Sequence, residues 1–218
     1  MRRFRDGREA GHLLAERLEH HRGEPGLLVL ALPRGGVPVA SEVAAALAAP
    51  LDVFIVRKLG APGHGELALG AIASGGVRVV NERVVRSLGL DQEIVAAAAA
   101  EEEQELLRQE RLYRGDRGPV EVESRTAIVV DDGLATGATM LAAVVALTAR
   151  KPRFLVAAVP VAGPEACEEL AGEVDEIVRA STPQPFYAVG LRYEDLDEPD
   201  YVQVRELLER QDRGRRAA

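Results

Sequence analysis

Apolar strand patterns that alternate with helical ones predict an α/β fold, an open and mostly parallel sheet with helices on both faces. Three observations carry this expectation. Ile128, Val129 and Val130 form a β-branched run of the kind found in a strand buried on both faces. Strands and helices then take turns along the chain, which implies right-handed βαβ crossovers. Glycine-rich loops also follow several strands, at the edge where an open parallel sheet binds its ligands.

Residues 7–22 place Ala10, Leu13, Leu14, Arg17 and Leu18 at helical spacing, giving an amphipathic opening helix. His20 and His21, at its polar end, read as exposed residues near a helix C-terminus. Residues 26–32 form an apolar strand that runs into Pro33, Arg34, Gly35 and Gly36, and an alanine-rich helix over 39–49 leads to a strand over 52–56. From residue 57 the glycines are too many for a packed helix, and strand formers too few for a rigid hairpin. Residues 57–66 therefore read as a mobile loop leading into short strands near 67–73 and 77–80.

A long helix over 91–113 has high intrinsic propensity, and its acidic cluster reads as a solvated face. After the strand that ends at Val130, helix 137–149, strand 153–159, helix 164–171 and strand 175–179 complete the pattern. Residues 1–180 thus form the expected core with its opening helix and inserted helix 91–113. Residues 181–218 form a small C-terminal hood and a basic tail, read as frayed and solvated.

Composition narrows the classes. A chain of 218 residues, 47% hydrophobic and 28% charged, fits one domain with an appendage. No apolar stretch approaches a membrane span, and MRRFRDGREA lacks a signal-peptide core, so the expectation is a cytoplasmic protein. The net charge of −8 argues against a nucleic-acid coat. Cys167, the only cysteine, has no internal disulfide partner and reads as a small core residue.

The run TAIVVDDGLATGATML over Thr126–Leu141 holds the candidate site. Asp131 and Asp132 fall where the strand leaves the sheet. Gly133–Gly137 supply a turn that lets backbone approach a ligand, and Thr136 and Thr139 add hydroxyls beside the first amides of the following helix. Such amides attract phosphate. Paired carboxylates suit a cis-diol, so the two halves together suit a phosphorylated pentose. In ALPRGG, Arg34 adds a fork of donors for phosphate oxygens.

The segment VVDDGLATGAT resembles the phosphoribosyl diphosphate (PRPP) signature of type I phosphoribosyltransferases. The resemblance implies a Rossmann-like fold in which Asp131 and Asp132 hold the ribose hydroxyls. Gly133, Leu134, Ala135, Thr136, Gly137, Ala138 and Thr139 would then wrap the 5-phosphate. Ala135 stands where 6-oxopurine enzymes carry an aspartate, which disfavours hypoxanthine and guanine; the ATG core looks more like that of the adenine enzymes. Arg34, Gly35 and Gly36 match the family's pyrophosphate loop, where a non-proline cis peptide is expected near Pro33–Gly35.

Arg57, Lys58, His64 and Glu66 resemble the flexible catalytic loop, most closely that of orotate enzymes, with Arg57 and Lys58 joining the pyrophosphate ligands. Ala61 and Pro62 stand in the neighbourhood of a further lysine of those enzymes, which speaks against orotate. Phe186 and Tyr187 fall in the segment that resembles the hood, where aromatics stack on the base; packing of the hood is an equal reading. Arg192 stands where 6-oxopurine enzymes are expected to be acidic.

The implied reaction is attack of an acceptor nitrogen on C1 of PRPP with release of pyrophosphate, with Asp131, Asp132, Arg34 and Lys58 catalytic. Mg²⁺ is the implied cofactor, carried by PRPP rather than by direct protein ligands. The implied partners are PRPP and a small-molecule acceptor, and a homodimer stays open. The alternative is a PRPP-sensing regulatory or binding protein without turnover.

Overall fold

The computed structural model describes residues 3–61, 64–115, 117–118 and 120–217, and of 64–68 and 215–217 only the backbone. Five strands, β1 (Leu27–Ala31), β2 (Leu51–Val53), β6 (Thr126–Val130), β7 (Phe154–Val161) and β8 (Glu176–Ser181), form one sheet in the order β2-β1-β6-β7-β8. Every pair in it is parallel. The register sets the carboxyl edge level: Ala31 lies opposite both Val53 and Val130, and Val130 lies opposite Ala158. The loops after β1, β2 and β6 therefore leave the sheet side by side.

Strand residues alternate between two apolar layers, as their pleat requires. Val29, Ala31, Ile128, Val130 and Val156 face α1 (Gly7–Arg17) and α2 (Gly36–Leu47), through Leu14, Val39, Val43 and Leu47. Leu28, Leu30, Val129, Leu155 and Ala157 face α5 (Ala138–Thr148) and α6 (Pro164–Leu170), through Met140, Val144, Leu147 and Leu170. The expected open sheet with helices on both faces is what forms. Cys167 is buried in the second layer. Asp6 caps α1, its carboxylate accepting from the Glu9 amide at 2.8 Å.

Two expectations are corrected. Residues 57–61 and 64–66 belong to strands instead of a loop: β3 (Val56–Ala61), β4 (His64–Ala73) and β5 (Val77–Val80) form a separate antiparallel sheet, and residues 62–63 of the expected loop lie outside the described residues. Its glycines serve the pairing instead of breaking it. The β3–β4 register shifts around Gly60, and a Cβ on Gly70 would lie 3.0 Å from Val80 Cα, so the backbones cross too closely for a side chain. Leu59 and Leu69 are buried, and this sheet packs against α5 and against α4 (Gln92–Arg114), the inserted helix. A short helix, α3 (Glu82–Ser87), precedes α4.

The second correction concerns the C-terminal tail. Its backbone belongs to α7 (Tyr201–Ala217) instead of fraying. Asp200 and Gln203 exchange two hydrogen bonds at its start: the Gln203 amide donates to Asp200 at 2.9 Å, and the Asp200 amide donates to the Gln203 carbonyl oxygen at 2.8 Å. Val204 and Leu208, one turn apart, are buried, and α7 packs on α2 and α4. That burial, absent from any local reading of a basic segment, holds the helix. His21 also departs from expectation, since it is buried while His20 is exposed.

No helix among the described residues is long and apolar enough to cross a membrane.

Candidate active site

Asp131 and Asp132 directly follow β6, and the level carboxyl edge brings the Pro33–Gly36 loop against them. The fit is tight. A Cβ on Gly35 would collide with the Asp132 carboxylate, and one on Gly36 would lie 2.7 Å from Val130 O and 2.9 Å from Asp131 Cα. Only glycine lets the two loops meet. The Pro33–Arg34 peptide is cis, as expected for this loop.

The carboxylates are held from the backbone side. Asp131 Oδ1 accepts from the Asp132 amide at 2.9 Å, and the Tyr193 hydroxyl donates to Asp132 O at 2.6 Å. Burial, reinforced by the charge of Asp132, pushes the Asp131 carboxyl well above its usual range. Burial and the nearby Glu198 charge push Asp132 up to about 6. Accumulated negative charge in a partly dry place is what hydroxyl donors or a cation would relieve. Burial, with the carboxylate charges, likewise pushes the Tyr193 phenol upward, so it stays a donor.

Beyond Asp132 the chain bends back across the end of β7. The Leu134 amide donates to Val161 O at 2.9 Å, and the Gly163 amide donates to Leu134 O at 3.0 Å. Gly137, at φ 74, then turns the chain into α5. The first amides of α5 lack intrahelical acceptors by construction. A cavity of about 140 Å³ opens there, lined by residues 133–140 with Asp131 and Val189. Gly133, Leu134, Ala135, Thr136, Gly137, Ala138 and Thr139 thus share the lining of one cavity with Asp131.

A second cleft, of about 420 Å³, lies between the Pro33–Arg34 bend, the β2–β3 connection, α4 and α7. Arg34, Arg57 and Thr139 line it, so Thr139 joins the two cavities. Lys58 is exposed and lines a third, largely apolar cavity of about 340 Å³, which Thr139 also borders. His64 and Glu66 belong to β4 by their backbone, and their side chains lie outside the described residues.

Both arginines meet carboxylates that sequence reading missed. Arg34 Nη2 donates to Glu198 Oε2 at 2.5 Å, and Arg57 Nε donates to Glu102 of α4. Burial and the neighbouring Tyr201 push the Tyr113 phenol in this cleft up to about 12. Glu198 stands 164 residues from Arg34 and Glu102 stands 45 from Arg57, so no local signal could have paired them. Phe186 is partly buried and packs behind the loop: a Cβ on Gly163 would meet its ring at 3.3 Å and Ala135 O at 3.5 Å. Tyr187 is 78% exposed.

The fold and site together define an open parallel α/β protein with an anion-ready helix start and an acid pair at the carboxyl edge. The chain belongs to the phosphoribosyl transferase family, whose domain description, "Phosphoribosyl transferase domain", matches residues 5–188. A protein of Mycobacterium tuberculosis H37Rv, provisionally named phosphoribosyl transferase Rv0571c, is 43% identical over 210 residues, covering 96% of this chain and 47% of that protein. The chain therefore spans about half the length of the curated relatives it matches.

Among solved structures, TT1426 from Thermus thermophilus is 44% identical with a TM-score of 0.87, covering 97% of this chain and 99% of that one. A hypothetical protein from Neisseria gonorrhoeae, solved with bound ppGpp, aligns at 13% identity and TM-score 0.50, covering 96% and 99%, a likeness of fold alone.

Proposed function

We propose that the chain transfers the 5-phosphoribosyl group from PRPP to a nitrogen of a nucleobase or related small-molecule acceptor, releasing pyrophosphate. One observation carries this reading: Gly35 and Gly36 press directly on Asp132 and Asp131, beside the cavity at the start of α5. The 5-phosphate takes the amides and hydroxyls of residues 133–139, and the ribose hydroxyls donate to Asp131 and Asp132. As the bond from C1 to pyrophosphate loosens, positive charge grows on the sugar, and the fixed carboxylates favour it. Arg34 and Arg57, on the wall of the second cleft, receive the leaving group, whereas Lys58 lines the neighbouring cavity that Thr139 also borders.

A Mg²⁺ ion held through PRPP would suit this surrounding, because Asp131, Asp132 and Glu198 gather mutually repelling carboxylates that a nearby cation would relieve. Such an ion would supply charge neutralisation at the diphosphate, while Arg34 and Arg57 would take its oxygens. Both arginines are held in ion pairs, so pyrophosphate would have to displace Glu198 from Arg34 and Glu102 from Arg57. This pairing also favours a second reading, a PRPP sensor that binds without turnover.

Pyrophosphate release from PRPP and Mg²⁺, measured across a panel of nucleobases and amines, tests the proposal alongside thermal stability. PRPP at a hundredfold excess over its dissociation constant should add roughly 2.7 kcal/mol to native stability. Stabilisation with release for one acceptor supports transfer. Stabilisation without release for any acceptor supports the sensor, and neither response removes both readings.

A further inference from the structure

At the opposite edge of the sheet, a single 3-10 turn after α1 (Glu19–His21) carries His20 and His21 against Glu176, the first residue of β8. His21 Nε2 is 3.0 Å from Glu176 Oε2, and His20 Nε2 is 3.2 Å from Glu176 Oε1. One ligand atom from each residue lies within 4.8 Å of the others. The geometry points to a divalent transition-metal site made by His20, His21 and Glu176, with zinc its natural occupant.

Donor spacing carries the argument. Bonds of about 2.0–2.1 Å around a tetrahedral ion hold neighbouring donors roughly 3.3 Å apart, and Glu176 Oε2 stands 3.0 Å from His21 Nε2 and 3.4 Å from His20 Nε2, separations that bracket that value. Two imidazoles and one carboxylate suit zinc, nickel or copper better than magnesium or calcium. A second observation supports the site independently. His21 is nearly buried, and its Nδ1 faces Glu24 Oε2 at 2.9 Å, leaving Nε2 for the ion.

Glu24 is itself fixed, accepting from Thr126 Oγ1 at 2.6 Å and from Arg153 Nη2 at 2.5 Å. A carboxylate behind a ligating histidine sets its tautomer and raises its basicity. His20, more than half exposed, leaves a fourth position open to water. Thr126, which holds Glu24, opens β6 and Asp131 directly follows that strand, so the cluster and the acid pair sit toward opposite ends of it. When filled, the site would tie the 3-10 turn after α1 to the edge strand β8, independently of the phosphoribosyl reading.

The test uses the full chain, free of any affinity tag, dialysed against chelator and titrated with Zn²⁺ in competition with a chromophoric chelator. One equivalent should bind with a rise in Tm, and Co²⁺ should give the visible bands of a four-coordinate nitrogen–oxygen site. His20→Ala, at an exposed position, should weaken binding ten- to a hundredfold, and Glu176→Gln should do the same, while His12→Ala leaves it unchanged. Retention of full affinity in His20→Ala, loss of binding in His12→Ala, or binding of less than one equivalent would overturn the proposal.

Discussion

Replacing Asp132 by asparagine should stabilise the protein at pH 8. Burial and the Glu198 charge raise this carboxyl from 3.8 to about 6, so the folded state holds the ionised form at a disadvantage. A group with a raised folded-state value contributes stability that is full below about pH 4 and is lost as pH rises through about 6. At ~1.4 kcal/mol per pH unit, and discounted for partial exposure, the penalty at pH 8 is roughly 2 to 3 kcal/mol. Asparagine removes the charge but keeps an oxygen that can accept from the Gly133 amide, which bonds the carboxylate now. Urea unfolding of Asp132→Asn and the parent, at pH 8 and pH 4, reads the difference directly. The variant should gain most of that energy at pH 8 and little at pH 4. A variant equally or less stable at pH 8, or a gain identical at both values, would refute burial of charge as the cause. Stability held in reserve by a strained acid pair is the expected mark of a working site.

On the proposed contact between the ribose diol and ionised Asp132, PRPP affinity should fall as pH drops through about 6, and Glu198→Gln should move that midpoint to lower pH by removing a neighbouring charge; a midpoint that stays put contradicts the contact. Arg114→Ala should cost about 3–5 kcal/mol, since this buried arginine bonds Asp52 at 3.0 Å, Glu110 at 2.8 Å and Val53 O at 2.5 Å; a loss under 1 kcal/mol in urea unfolding would count against it. Gly36→Ala should cost about 1–3 kcal/mol, because the new methyl would meet strand backbone that cannot swing aside, and an unchanged Tm would show that the loops are looser than described.

Much of this protein is written locally. The β-branched run Ile128–Val130 fixes a doubly buried strand, the order of elements fixes a parallel sheet, and DDGLATGAT marks its own loop because glycine, threonine and aspartate there have no use in a core. Even the cis peptide at Pro33–Arg34 follows from the likeness of its loop to a known one. Residues 57–66 were legible only in part. Their glycines look like breakers until β4 and β5 approach, and a bulge needs its partner strand before it can be recognised. Likewise α7 depends on Val204 and Leu208 finding α2 and α4, contacts that no window of sequence contains.

The amino-acid order by itself determined the strand ends, the anion-ready turn and the acid pair, since each rests on neighbours in the chain. Only the tertiary structure decided what those groups face. It set Glu198 on Arg34, Glu102 on Arg57, and His21 between Glu24 and Glu176, because electrostatic partners are chosen by distance in space and these lie between 3 and 164 residues apart.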